Sequence, residues 1–192
     1  MKQRLLIVII LLALILPMAY VGIRYWYRPL HVRMTPEEIE PLIQAAARRH
    51  HLDSDLIRAV IRTESSFDPD ATGLVGEKGL MQLTKGAVQD WTKSHGRSIH
   101  NLDHLYDPAL NVEIGSWYLA RAMRAWQNHD ETEVLALIEY NAGGTRAREH
   151  ARKFSENVID NVTIESTQSY IRKVLKYRSE YKNERLIAAT HE

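Results

Sequence analysis

One acid interrupts an apolar pattern. Ile57, Val60, Ile61 and Glu64 lie three and four residues apart, the spacing that stacks side chains on one face of a helix. Three are aliphatic; the fourth is a glutamate followed by the helix-ending run Ser65-Ser66-Phe67-Asp68-Pro69. A carboxyl that continues such a stripe is partly desolvated, which disfavours its charged form and raises its pKa. A glutamic acid still protonated near neutral pH can hand that proton to a leaving group. Periodicity alone equally allows Glu64 to turn into solvent as the helix ends, or to pair with Arg62 or a more distant cation.

Other chemistries find less support. His100 and His104 have helical spacing, but Ser98 to Tyr106 reads as a loop and no His-Glu-x-x-His pattern exists, so the nine histidines read as surface residues and no metal site is expected. The run Gly73, Gly76, Gly79 follows a helix and lacks the fingerprint of a phosphate cradle. With no cysteine, a disulfide framework, a thiol nucleophile and a Cys-ligated metal are excluded. Residues 1–28 hold four of the 25 basic residues and no acid; the other 21 face 24 acids, a net of −3 that disfavours a nucleic-acid partner.

The elements that must position Glu64 are helical. Thr35-Pro36-Glu37-Glu38 is a capping box that opens a helix to about His50. A second helix starts at Asp53 and ends near Ser65, with residues 66–79 as a loop. Thr84 caps a short helix, Asp107-Pro108 begins a longer one, and Glu131 to Asn141 is stopped by Gly143-Gly144. A last amphipathic helix runs from about Thr167 past Tyr177 into a charged tail. The basic residues of 146–153 and of that tail read mostly as solvated faces. Strand alternation is absent except for a small hairpin in 72–78, so the class is all-α, or α with a minor β-hairpin, in one catalytic domain over 29–192.

Ahead of it, Leu5 to Ile23 is uncharged over the length of a membrane span, with Tyr20, Tyr25, Trp26 and Tyr27 as an interfacial belt. A proline occupies the small-residue position of the nearest cleavage candidate, Pro17-Met18-Ala19, so 1–28 reads as a retained transmembrane anchor in the lipid bilayer. Flanking charges leave its orientation nearly balanced.

Four blocks carry a resemblance. Glu64-Ser65-Ser66-Phe67, then Gly76-Glu77-Lys78-Gly79-Leu80-Met81-Gln82-Leu83, then Asp107-Pro108-Ala109-Leu110-Asn111-Val112 with Gly115 and Tyr118-Leu119, then Tyr140-Asn141-Ala142-Gly143 come in the order of one family. Over roughly residues 36–180 the chain resembles the soluble-lytic-transglycosylase-type catalytic domains. The resemblance implies a goose-lysozyme-like helical fold, peptidoglycan glycan strands as substrate, and cleavage between N-acetylmuramic acid and N-acetylglucosamine to leave a 1,6-anhydro end. It implies Glu64 as the single acid and base, no cofactor, and a domain on the periplasmic side of the bacterial inner membrane. The N-in orientation of the anchor follows from that function.

Substrate contacts carry over by position. Ser65 adjoins the acid. Gln82 would offer its amide to acetamido groups beside Met81 as an apolar wall, though Leu80 to Leu83 also reads as a packed turn. Tyr140 would bond substrate or Glu64; Asn141 can equally terminate its helix; Tyr170 either closes the groove or packs in the core. Departures stand at four positions. The family commonly has serine where this chain has Gly73, and alanine where it has Glu77. Glu139 replaces a small apolar residue, and Ser166 replaces a glutamate to which Glu165 is adjacent. Glu77 and Glu139 are either solvated charges or second carboxylates that favour attack by water, which would make the protein a lysozyme-type hydrolase. Gly73 and Ser166 leave room for an inactive glycan-binding or assembly module.

Overall fold

The computed structural model describes residues 34–190, so the expected anchor lies outside the described residues. Helix α1 (Pro36–His50) opens with the expected capping box: Glu38 N–H donates to Thr35 Oγ1 at 3.4 Å, and Thr35 N–H donates to Glu38 Oε2 at 2.7 Å. Helix α2 (Ser54–Ser65) is capped by Asp53. After a loop come α3 (Lys85–His95), a 3-10 turn (Leu102–Tyr106), α4 (Pro108–Ala125), α5 (Thr132–Ala142) and α6 (Gly144–Lys153). A second 3-10 turn (Ile159–Asn161) leads to α7 (Glu165–Thr190). No strand forms among the described residues; the expected hairpin is reduced to two isolated bridges, Thr72 with Lys78 and Lys78 with Leu83. None of the described helices is long and apolar enough to cross a membrane.

The core sits around α2. Ile57, Val60 and Ile61 are wholly buried, each worth about 1.5–3 kcal/mol of transfer energy. Helix α7 lies along α2, α4 packs on α1 and α5, and α5 packs on α6 and α7. Two elements differ from expectation. The chain does not leave the helical state for good at Gly143-Gly144. Gly143 takes φ 88°, a conformation side chains disfavour, which breaks one helix and starts another at once. Only Ala147 and His150 of α6 turn inward, too few apolar positions to show a period, so its basic run is the outer face of a helix.

The charged tail, in turn, is helical to Thr190 and works against α2. Arg185 donates twice to Asp55, which is 1% exposed, at 3.1 and 2.7 Å. Arg178 bonds Asp53 at 2.9 Å and also Glu133. Arg62 stacks its guanidinium on Tyr177, 3.9 Å from the ring centre.

Candidate active site

Glu64 occupies the last turn of α2. Past it, Ser66 and Phe67 take φ 52° and 64°, so the chain swings off the helix axis into the loop instead of continuing over the acid. That loop, residues 66–83, is tied down at both ends. Ser65 Oγ lies 2.8 Å from the Leu80 carbonyl, which accepts its proton. On the far side Thr72 Oγ1 meets Tyr106 Oη at 2.7 Å, and Lys78 Nζ donates to Tyr106 Oη at 2.9 Å and to Asp103 at 3.1 Å.

The central tie is Asn111, fully buried at the start of α4. Its Nδ2 donates to the carbonyls of Lys78 (2.8 Å) and Leu105 (2.7 Å), and its Oδ1 accepts from Met81 N–H (2.8 Å). Gly79 must be glycine beneath it: φ is 75°, and a Cβ would come 2.3 Å from Asn111 Nδ2. Asn111 stood in the sequence only as part of a motif. A polar amide between Leu110 and Val112 on a helix that buries Ile114 was the signal for a structural hub.

Around the acid stand two tyrosines and a second acid. Glu64 is half-buried, so it retains a face toward solvent. Its pKa is raised to about 7: burial pushes it up most, the nearby Tyr170 hydroxyl pulls it down, and the negative charge of Glu77 adds to the rise. Tyr170, 8% exposed on α7, turns its hydroxyl to Glu64 in a geometry short of a formed hydrogen bond, since that oxygen has no bonded partner. Tyr140 on α5 also feels the Glu64 charge. Burial and that charge lift both phenols far above their usual range, so both stay neutral. The arrangement can store a proton at neutral pH, release it into an open face, and take one back.

The remaining expected contacts sort differently. The Tyr140 hydroxyl donates to the Met81 carbonyl at 2.9 Å, which commits its proton to the loop and leaves only its lone pairs for Glu64 or a ligand. Met81 is fully buried against Gly115, where a Cβ would come 2.4 Å from its sulfur. Its side chain is therefore core rather than groove wall, because the glycine opens a slot in α4 that the thioether fills. Gln82 spends its amide nitrogen on the carbonyls of Ala71 (3.1 Å) and Gly79 (2.9 Å), so its oxygen alone stays open to a ligand. Ser65 is used within the fold. Asn141 is exposed and makes no side-chain hydrogen bond; Gly143 N–H, not Asn141, closes α5 by donating to the Glu139 carbonyl at 2.9 Å. Its amide is free for a ligand.

Of the two extra acids, Glu139 is 8% exposed, accepts from Trp126 Nε1 at 2.9 Å and faces Arg121 at 3.6 Å, so it serves packing and is closed to the groove. Glu77 belongs to the site. Glu165 and Ser166 are exposed in the first turn of α7. Tyr118 stood in the sequence only as part of a motif; it meets Tyr140 edge-on with ring centres 5.8 Å apart under the Arg121 guanidinium. Among the described residues no group of three or more His, Asp or Glu side chains is arranged to hold a metal ion.

Comparison with known proteins agrees with this architecture. The transglycosylase SLT domain family matches residues 41–162. Membrane-bound lytic murein transglycosylase F of Desulfosudis oleivorans is 30% identical over 142 residues, covering 72% of this chain and 29% of the relative. Membrane-bound lytic murein transglycosylase C of Salmonella arizonae is 31% identical over 121 residues, covering 60% and 34%. The chain thus spans about a third of the length of the curated relatives it matches. Among solved structures, an inactive mutant of lytic transglycosylase Slt from Pseudomonas aeruginosa superposes with a TM-score of 0.70 at 27% identity, over 78% of this chain and 24% of that one. The 70 kDa soluble lytic transglycosylase of Escherichia coli shares the fold at a TM-score of 0.68 and 23% identity, over 76% and 25%. A helical domain with a sheltered glutamate closing its second helix, matched over most of its length, belongs to the transglycosylase SLT domain family.

Proposed function

We propose that this protein is a peptidoglycan lytic transglycosylase in which Glu64 is the single acid and base. The observation that carries the reading is a carboxyl poised near neutral pH, with one open face and two neutral tyrosines beside it. Glu64 gives its proton to the oxygen between N-acetylmuramic acid and N-acetylglucosamine, and that bond to the anomeric carbon breaks. The 6-hydroxyl of the same muramic acid attacks the anomeric carbon, and the carboxylate takes the hydroxyl proton. No water is consumed, and Glu64 ends as it began. Ordinary glycosidases place a second carboxylate to activate water or form a glycosyl-enzyme. Here the nucleophile is tethered to the reacting ring, so the proximity advantage comes from the substrate. Asn141 and the Gln82 oxygen are the polar groups left free to hold the strand.

Relatives named membrane-bound and the uncharged run from Leu5 to Ile23 together support membrane association. We read 1–28 as a single-pass anchor in the bacterial inner membrane with the domain on its outer side.

Digestion of purified sacculi with mass analysis of the released muropeptides tests the chemistry. Products ending in 1,6-anhydro-muramic acid, one water lighter than reducing ends, are expected, and Glu64→Gln abolishes them. Reducing ends would reassign the protein as a hydrolase, and intact sacculi would make it a binding module.

A further inference from the structure

Nothing in the backbone at Gly73 calls for glycine, since its φ lies outside the left-handed region. Space does. A Cβ there would sit 2.2 Å from Glu77 Oε2, 3.0 Å from Glu77 Cδ and 2.9 Å from Gln82 Oε1. The turn that brings this about is closed by Gly73 N–H donating to the Glu77 carbonyl at 2.8 Å and by Gly76 N–H donating to the Gly73 carbonyl at 3.2 Å. Val75 N–H donates to Glu77 Oε2 at 3.2 Å, which folds the carboxylate back over residue 73 instead of letting it reach into solvent. Gln82 arrives from the other side, its amide nitrogen held by two carbonyls, so the oxygen is the end that points at the same spot. Two acceptors therefore converge, and among the described residues the Val75 N–H is the one donor that reaches either. Acceptors brought together in a partly buried site without a donor between them are unfavourable, and a carboxylate in such a pair binds a donor strongly.

We propose that Glu77 Oε2 and Gln82 Oε1 form an acceptor pair that takes an N–H or O–H group of the glycan bound at Glu64, with Gly73 kept bare to give them room. The assignment rests on the reading of Glu64 as the acid of a glycan-cleaving site and names what that site recognises beside it. The donor is an acetamido N–H, a hydroxyl, or the ammonium of a sugar that lacks its acetyl group. The negative charge of Glu77 also raises the pKa of Glu64, which stands between the neutral Tyr140 of α5 and Tyr170 of α7.

The test uses the full chain in detergent and soluble glycan strands, either fully acetylated or chemically de-N-acetylated. Binding is measured in a Glu64→Gln background, so that it does not depend on turnover. Glu77→Ala and Gly73→Ser are each expected to raise Kd about tenfold or more on the strands that carry the recognised donor, the scale of one charge-assisted hydrogen bond. Loss confined to de-N-acetylated strands identifies the ammonium, and equal loss on both identifies a hydroxyl. In cleavage assays with Glu64 restored, Glu77→Gln keeps an acceptor oxygen but loses the charge, so its KM on acetylated strands rises less than that of Glu77→Ala while the high-pH limb of activity moves to lower pH. Unchanged Kd in both Glu77→Ala and Gly73→Ser overturns the acceptor pair whatever the cleavage assay gives. A wild-type protein that binds strands through the pair but releases no anhydro ends overturns the proposed reaction instead.

Discussion

Replacing Glu64 by glutamine should make the protein inactive and more stable, and the gain should depend on pH. In the folded chain the carboxyl titrates at about 7, against 4.5 for the ordinary group. Between those values the unfolded chain has lost the proton while the folded one keeps it, so the unfolded state binds fewer protons and stability falls as pH rises. The loss begins near 4.5 and is complete above about 7. A shift of that size corresponds to at most about 3 kcal/mol, and to less because Glu64 retains a solvent-facing side. Glutamine fills the same volume without the charge, so above pH 8 it recovers that energy, which for a domain of this size is about 3–10 °C in Tm. Below pH 4.5 both side chains are neutral and the melting points should coincide. Thermal melts of both proteins at pH 4 and pH 8, followed by far-ultraviolet circular dichroism, read this directly. Equal stability at pH 8, or a gain of the same size at both pH values, would refute the claim that the carboxyl is sheltered.

Activity on sacculi should decline as pH rises through about 7, because the leaving oxygen needs the protonated acid; a rate flat from pH 6 to 9 would contradict the assignment. Asn111→Ala leaves the Met81 N–H of the site loop and the Leu105 carbonyl of the 3-10 turn without their partner in the core and should cost about 2–5 kcal/mol by denaturant unfolding. Arg185→Ala strands the buried Asp55 carboxylate and should lower the urea midpoint, which Asp55→Asn recovers in the double variant. Tyr140→Phe should cost about 1 kcal/mol through the lost bond to the Met81 carbonyl, measurable as a lower urea midpoint.

How far the chain could be read in advance depended on the range of the interactions. Thr35, Asp53, Thr84 and Asp107 act on backbone groups two or three residues away, so the helix starts were visible as local patterns, and all four caps form. The stripe Ile57, Val60, Ile61, Glu64 was equally local. What escaped depends on partners far along the chain. Met81 looked like a wall because its burial is decided by Gly115, and Gln82 looked free because its partners are backbone carbonyls of a loop whose path was unknown. Glu139 could not be told from a solvated charge without Trp126 and Arg121 beside it. Gly73 and Glu77 read as two separate oddities, whereas in space one explains the other.

The contact of α7 with α2 ties the acid to a distant stretch of the chain. Tyr170 turns its ring to Glu64, and the arginines that fasten its helix, Arg178 and Arg185, lie more than a hundred residues along the chain from the α2 acids they hold. Until α7 docks on α2 the enclosure around the glutamate is unfinished, so the motif without its helical partner does not shelter the acid. The sheltered proton is a property of the folded domain, not of the motif by itself.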